Sequence, residues 1–262
     1  MITSTRNPKI QEIRALQGRA KRRREAGAFV IEGVRLAEEA LAVAWPVQLA
    51  LYTADLNARG RALIEHLREV GAMVEETSPE VMAAASDTPA PQGILLQLAQ
   101  GELPLPAELD LALVLDQIRD PGNLGTLLRS AAAAGAGAVL LGPGSVDAFA
   151  PKVLRAAMGA HFRLPIRELD WPAIGSLLKG AGLRVYLADM EAGQAYDQVD
   201  LSAQVAFLIG GEAEGPGRAA RDLAYDGLYI PMSGETESLN AAIAGSLLLF
   251  EAARQRRAKG TA

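Results

Sequence analysis

Hydrophobic and polar positions along the chain follow two alternating periods. Short apolar runs such as Phe29-Val30-Ile31 and Leu111-Ala112-Leu113-Val114-Leu115 have the length of buried strands. Between them lie stretches at helical spacing, such as 61–70 with Leu63, Leu67 and Val70 on one face. Up to residue 98, expected strands at 29–31, 47–52, 72–75 and 93–98 alternate with helices at 34–43, 61–70 and 79–85. The last helix opens on Ser78-Pro79, an N-cap followed by a proline at N1. From residue 111, strands at 111–115, 138–141, 162–166, 184–188, 205–209 and 227–230 alternate with helices at 124–134, 151–158, 174–179 and about 238–257. The first set predicts a small α/β sandwich, the second an open parallel sheet with helices on both faces. On the terminal helix, Leu239, Ile243, Leu247 and Phe250 recur at helical spacing and are expected to be buried. The stretch 101–108, with Pro104 and Pro106, favours extended backbone and marks the domain boundary.

Composition narrows the chemistry. At 262 residues, with 50% hydrophobic and 22% charged positions, the chain can bury one large core or two small ones. It contains no cysteine, which excludes disulfides, thiolate zinc sites and a cysteine nucleophile. Its two histidines, His66 and His161, argue against a Ser-His-Asp triad or a multi-histidine metal site, and no metal is expected. No apolar stretch reaches about 18 residues, and Met1–Thr5 has no signal-peptide pattern, so a cytoplasmic protein is expected. The net charge of −5 is unevenly spread: residues 1–35 carry nine Lys/Arg against three acids. Arg6, Lys9, Lys21, Arg22, Arg23 and Arg24 belong to that basic segment. It fits either a face that meets a polyanion or a solvated basic helix. Aromatics, at 5%, are too few for a base-stacking platform.

Ligands of open parallel sheets gather at the C-terminal ends of the strands, which directs attention to the loops after Leu115, Ile209 and Ile230. In the first, Asp120-Pro121-Gly122 makes a turn and Asn123 is placed to cap a helix, but Arg129 within an Ala-rich helix has no such explanation. The second, Gly210-Gly211-Glu212-Ala213-Glu214-Gly215-Pro216-Gly217, has four glycines in eight residues and suits close backbone approach to a ligand. Neither a dinucleotide fingerprint nor a P-loop is present. The third runs from Ile230-Pro231-Met232 to Ser238-Leu239-Asn240, with Ser238 placed as an N-cap and Asn240 offering an amide at the start of the helix.

Together the three loops resemble the motifs of the SpoU (TrmH) family of RNA ribose methyltransferases of the SPOUT superfamily. The first motif reads Asp120-Pro121-Gly122-Asn123-Leu124-Gly125 followed by Arg129-Ser130-Ala131; the second is Gly210-Gly211-Glu212-Ala213-Glu214-Gly215; the third is Ile230-Pro231-Met232 with Ser238-Leu239-Asn240. Asn7-Pro8-Lys9 and Phe29-Val30-Ile31-Glu32-Gly33 resemble runs of the L30e-like substrate-binding domain of many members. Two departures are small: alanines in Arg155-Ala156-Ala157, where serine is frequent, and Ala241-Ala242 after the third motif.

The resemblance implies an L30e-like RNA substrate-binding domain over 1–100, a linker over 101–108 and a methyltransferase domain over 109–262, the last an α/β fold with a mostly parallel sheet and a deep trefoil knot. It implies S-adenosyl-L-methionine (AdoMet) as cofactor, held near Gly210, Gly211, Ile230, Met232 and Leu239. It implies methyl transfer to a ribose 2′-hydroxyl, with Arg129 as the central catalytic residue and Asn123, Glu212, Ser238 and Asn240 around it. An arginine is a poor general base, so orientation of the hydroxyl and an RNA phosphate is the better role for Arg129. The basic segment would contact RNA, ribosomal RNA ahead of tRNA, and the protein would be a homodimer. The alternatives are a tRNA ribose methyltransferase, a base methyltransferase of the same superfamily and a non-catalytic RNA-binding protein of the same fold.

Overall fold

The structure, a computed structural model, describes residues 1–211, 215–233 and 238–260. It divides into two compact units, residues 1–101 with 149–162, and residues 102–148 with 163–262.

In the first unit α1 (Pro8–Gly18) and α2 (Ala20–Ala26) precede β1 (Ala28–Glu32), α3 (Val34–Ala42), β2 (Val47–Tyr52), α4 (Ala58–Glu69), β3 (Met73–Glu76), α5 (Pro79–Ala85) and β4 (Ile94–Ala99). The strands form one sheet in the order β1-β4-β2-β3, with β4 antiparallel to both neighbours and β3 parallel to β2. One core joins Ile10, Ile13 and Leu16 of α1 to Val30, Leu51 and Leu95 of the sheet and Met82 of α5. Ser78 caps α5 through its hydroxyl, as its place before Pro79 predicts. A segment from far along the chain completes the unit. Phe149 lies 4.9 Å from Phe29 and Phe162 lies 5.3 Å from Trp45, ring centre to ring centre.

The second unit begins with β5 (Leu111–Asp116), α6 (Pro121–Ala134) and β6 (Ala138–Leu141). The chain then contributes α7 (Pro151–Ala157) to the first unit and returns as β7 (Ile166–Glu168), α8 (Trp171–Gly180), β8 (Arg184–Ala188), β9 (Gln194–Ala195), β10 (Val205–Gly210), α9 (Arg218–Arg221), β11 (Asp226–Tyr229) and α10 (Ala241–Lys259). The seven strands are all parallel, in the order β7-β6-β5-β10-β8-β11-β9. The two central strands, β5 and β10, are buried along nearly their whole length, which matches their unbroken apolar sequences.

Helix boundaries correct three expectations. Asp120, not Asn123, caps α6: its carboxylate accepts the Asn123 backbone N–H at 2.8 Å, with Pro121 at N1. Asn240, not Ser238, caps α10, its side-chain oxygen accepting the N–H groups of Ala242 and Ile243. The apolar stripe of α10 also faces the other way from the expectation. Ile243, Leu247 and Phe250 are exposed, while Ala242, Gly245, Leu248, Leu249, Ala252 and Ala253 are buried. The small residues let α10 lie close to α6 and β10; a Cβ on Gly245 would stand 2.5 Å from Leu127 Cδ2. At the far end of α10 the buried Arg256 guanidinium donates to the Asp110 carboxylate at 2.9 Å and to the backbone oxygens of Asp110 and Ala203 at 2.7 Å each. No helix among the described residues is long and apolar enough to cross a membrane.

Candidate active site

Parallel pairing sets Gly210 beside Asp116 where β10 and β5 end, so the first two motif loops leave the sheet side by side. Beyond Gly210 the chain turns sharply. A Cβ on Gly210 would stand 2.3 Å from the Pro216 nitrogen, and one on Gly211 2.6 Å from the Gln117 carbonyl oxygen. Backbone occupies both places, so a side chain cannot enter without moving main chain. The Gly215 N–H donates to the Gly211 carbonyl at 3.0 Å and closes the turn.

A cavity of about 500 Å³ opens at the C-terminal ends of β8, β10 and β11. Gly210, Gly211, Gly215 and Pro216 form one wall, Ile230, Met232 and Leu239 another, and Ser238 and Asn240 stand at the start of α10. All five residues expected to hold the cofactor therefore line one space. Its volume, its glycine wall and its apolar lining with a few polar groups suit a ligand with adenosine and methionine parts. Asp189 and Met190, at the end of β8, line it too and carried no motif in the sequence. Their only sequence signal was a place just past a parallel strand, where such sheets bind ligands.

The expected catalytic residues divide. Asn240 Nδ2 donates to Asn123 Oδ1 at 3.0 Å, which brings the first and third motifs together across 117 residues of sequence. Behind that contact, Ser246 Oγ donates to Ser130 Oγ at 2.7 Å and keeps α10 aligned with α6. Ser238 lines the cavity and is exposed. Arg129 is exposed on α6, is not among the residues lining the cavity, and makes no hydrogen bond or ion pair among the described residues. Glu212 lies outside the described residues.

The basic segment of the first unit divides as well. Arg6, Lys21 and Arg24 are exposed. Arg22 pairs with Glu12 at 2.9 Å, and Lys9 pairs with Glu75, whose carboxyl is held below the usual carboxylate range by that hydrogen bond. Arg23, expected on the RNA face, turns inward. It is 4% exposed and its guanidinium donates to the carbonyls of Leu16 and Gln17 at 2.5 and 3.0 Å, closing the C-terminal end of α1.

Comparison with known proteins places this geometry. Residues 110–250 match the family described as SpoU rRNA Methylase, and residues 7–96 the MRM3-like substrate binding domain. The chain is 34% identical over 249 residues to the 23S rRNA (guanosine(2553)-2'-O)-methyltransferase RlmP of Bacillus subtilis, covering 95% of this chain and 97% of the relative. It is similar to the crystal structure of an AdoMet-bound rRNA methyltransferase from Sinorhizobium meliloti, with a TM-score of 0.87, 32% identity and 97% of each chain covered. The SpoU methyltransferase AviRb of Streptomyces viridochromogenes, in complex with AdoMet, matches with a TM-score of 0.87 and 28% identity over 96% of this chain and 100% of that one.

Proposed function

The chain belongs to the SpoU rRNA methylase family, and on that premise we propose that it is an AdoMet-dependent methyltransferase acting on a ribose 2′-hydroxyl of ribosomal RNA. The observation that carries the reading is the convergence of Gly210, Gly211, Ile230, Met232 and Leu239 on one cavity, with Asn240 at its edge bonded to Asn123. Bound there, AdoMet supplies a methyl group on a sulfonium, already a good electrophile. The chain's own residues then have to hold the cofactor in a dry pocket and align the ribose. Gly210, Gly211 and Gly215 bring backbone to the ligand, and Ile230, Met232 and Leu239 exclude water. Asn240, fixed by Asn123 and by its own helix cap, presents an oriented amide at the pocket edge. Arg129 holds the ribose hydroxyl and an RNA phosphate through its guanidinium, which stays charged at all working pH values. Ser238 and Glu212 complete the set in this reading.

The first unit is the RNA-binding part, with Arg6, Lys21 and Arg24 as the exposed contacts. A homodimer belongs to the reading, supported by the exposed Ile243, Leu247 and Phe250 on α10: apolar side chains on a helix whose other face is already packed suit a second copy. The trefoil knot belongs to it through family membership, and a cytoplasmic location belongs to the same reading.

The test is methylation of ribosomal RNA and of tRNA with labelled AdoMet, followed by mass spectrometry of the nucleosides. A 2′-O-methylated nucleoside in ribosomal RNA is expected, and R129A should lower the rate on the order of a hundred-fold or more while AdoMet affinity is unchanged. A base-methylated product would defeat the ribose assignment, product in tRNA alone the substrate assignment, and a fully active R129A the role of Arg129.

A further inference from the structure

Asp116 is the last residue of β5 and is 1% exposed, a depth at which aspartate is rarely found without a purpose. It belongs to none of the three motifs and does not line the cavity. Its Oδ2 accepts the backbone N–H of Gly217 at 2.7 Å, across 101 residues of sequence. Among the described residues that N–H is the one hydrogen-bond donor to the Asp116 carboxylate.

Gly217 stands where the glycine-rich loop ends and α9 begins. The peptide that donates to Asp116 follows directly on Pro216, and Pro216 is the residue that folds back over Gly210. The described residues of the loop are tied internally by Gly215 to Gly211, and to the neighbouring strand by Gly217 to Asp116. Among the described residues Arg221, which donates to the Pro216 carbonyl and to the Asp189 carboxylate at 3.0 Å each, links the loop to the end of β8, while the second tie joins it directly to β5. Gln117, next to Asp116, reinforces it: its carbonyl meets Gly211, and its side chain lies 3.6 Å from where a Cβ on Gly217 would be. A buried carboxylate accepting a backbone N–H makes a charge-assisted bond, about twice as strong as a neutral one, and the loop cannot leave without stranding the charge.

We propose that Asp116 is a positioning residue for the cofactor. It holds Gly215 and Pro216 against Gly210 and Gly211, the four residues that form one wall of the AdoMet pocket, and acts through Gly217 without touching the ligand. The inference rests on the reading of that cavity as the AdoMet site.

The experiment measures AdoMet binding to the full-length protein by calorimetry, with steady-state KM and kcat beside it. D116A should weaken AdoMet on the order of ten-fold or more and raise its KM. The rate at saturating AdoMet and the KM for RNA should stay near the parent's. D116N keeps a side-chain oxygen able to accept the Gly217 N–H and should restore most of the affinity, which a general loss of stability would not allow. Should D116A fail to fold, G217P removes the donor without changing residue 116, its ring Cδ taking the place of the N–H hydrogen and pushing the carboxylate away. The Gly217 φ of −66° is one proline adopts, so the expected effect is again weakened AdoMet. G217A keeps the N–H, and its Cβ would meet Asp116 Oδ2 at 3.5 Å, an ordinary contact, so it should bind as the parent does. Parent-like affinity in D116A or G217P overturns the proposal, and so does a D116N as weak as D116A. A parent protein that binds no AdoMet overturns the underlying reading of the cavity instead.

Discussion

Each unit ends its first strand on a buried carboxylate that holds a distant loop, Glu32 on β1 and Asp116 on β5, yet the two loops are shaped by different means. Glu32 is 8% exposed and gathers the Ser86 hydroxyl at 2.6 Å, the Thr88 hydroxyl at 2.8 Å and the Gln92 N–H at 3.2 Å. Side chains from the loop itself do most of the holding. At Asp116 the described donor is one backbone N–H, and the remaining constraint is main chain against main chain at Gly210 and Gly211. The first arrangement spreads its strength over several hydrogen bonds and should yield gradually to substitution. The second has no slack where backbone meets backbone. A loop meant to lie against a ligand gains from that, because no side-chain rotamer has to be frozen to make its wall.

The largest effect should follow from attacking the backbone-limited loop. In G210A the added methyl would sit 2.3 Å from the Pro216 nitrogen, so the loop has to open. Overpacking of this kind costs about 1–3 kcal/mol, which, taken from the binding free energy, corresponds to AdoMet binding roughly five- to 150-fold weaker. Calorimetry on a variant with a parent-like thermal transition measures this directly. Unchanged affinity would mean that the loop adapts as readily as the one around Glu32, and the contrast between the units would be gone.

Next in size is E32A. It removes the acceptor of three hydrogen bonds while the donors stay in the first unit, at a cost of about 1–3 kcal/mol of stability. The two tryptophans allow the units to be followed separately. Trp45 belongs to the first and Trp171 to the second, so urea unfolding of E32A in a W171F background reports on the first unit through Trp45. AdoMet affinity should be unchanged. S86A, which removes one of the three donors, should cost a fraction of the E32A effect; an equal cost would show that the Glu32 cluster is as brittle as the glycine loop.

How much of this was legible in the sequence depends on whether a feature is carried by residue type or by placement. The strands at 184–188 and 47–52 and the helix after Ser78-Pro79 follow from apolar periodicity and cap chemistry, and the structure has them. The three motifs carry their chemistry in unusual residue types at fixed spacing, and Asn123, Asn240 and the glycine wall meet in space. Asp116 gave no signal, because a strand ending in aspartate is ordinary until the loop it holds is known. Periodicity on α10 found an apolar face and could not tell which face packs inward; Ala242, Gly245, Ala252 and Ala253 took the inner side together with Leu248 and Leu249, and at Gly245 even a Cβ would meet Leu127. Nor could sequence order reveal that residues 149–162, lying between two strands of the second sheet, pack with the first unit through Phe149 and Phe162.

The basic segment shows the same limit at the level of single residues and offers a smaller test. Arg23 and Arg24 are neighbours in sequence, but one is buried on two carbonyls and the other is exposed. R23A should cost about 1–2 kcal/mol of first-unit stability and shift RNA affinity little. R24A should leave stability within about 0.5 kcal/mol and weaken RNA binding, with a shallower dependence on salt. Filter binding at several salt concentrations, paired with the Trp45 unfolding curve, separates the two. If R23A lost RNA affinity while keeping stability, the inward arginine would have to reach RNA after all.

The smallest effect belongs to Lys9 and Glu75, the pair that joins α1 to β3. Both side chains are about one-third exposed, 36% for Lys9 and 32% for Glu75, so solvent screens the attraction and little stability is expected from it. The Lys9 hydrogen bond is the chief reason that the Glu75 carboxyl lies below its ordinary value of 4.5. The sign follows from linkage. A carboxyl whose folded value is depressed contributes stability above its unfolded value, and that contribution disappears as pH falls through the folded value. Acidification below the ordinary glutamate range should therefore lower the stability of the first unit slightly, and E75Q should flatten that part of the profile without changing it near neutrality by more than about 0.5 kcal/mol. The same substitution frees Lys9 from its partner, so RNA affinity at neutral pH should rise and its salt dependence steepen by about one counterion. Should E75Q leave both the acid slope and the RNA salt dependence as they are in the parent, Lys9 would be a spacer between α1 and β3 and no part of the RNA face.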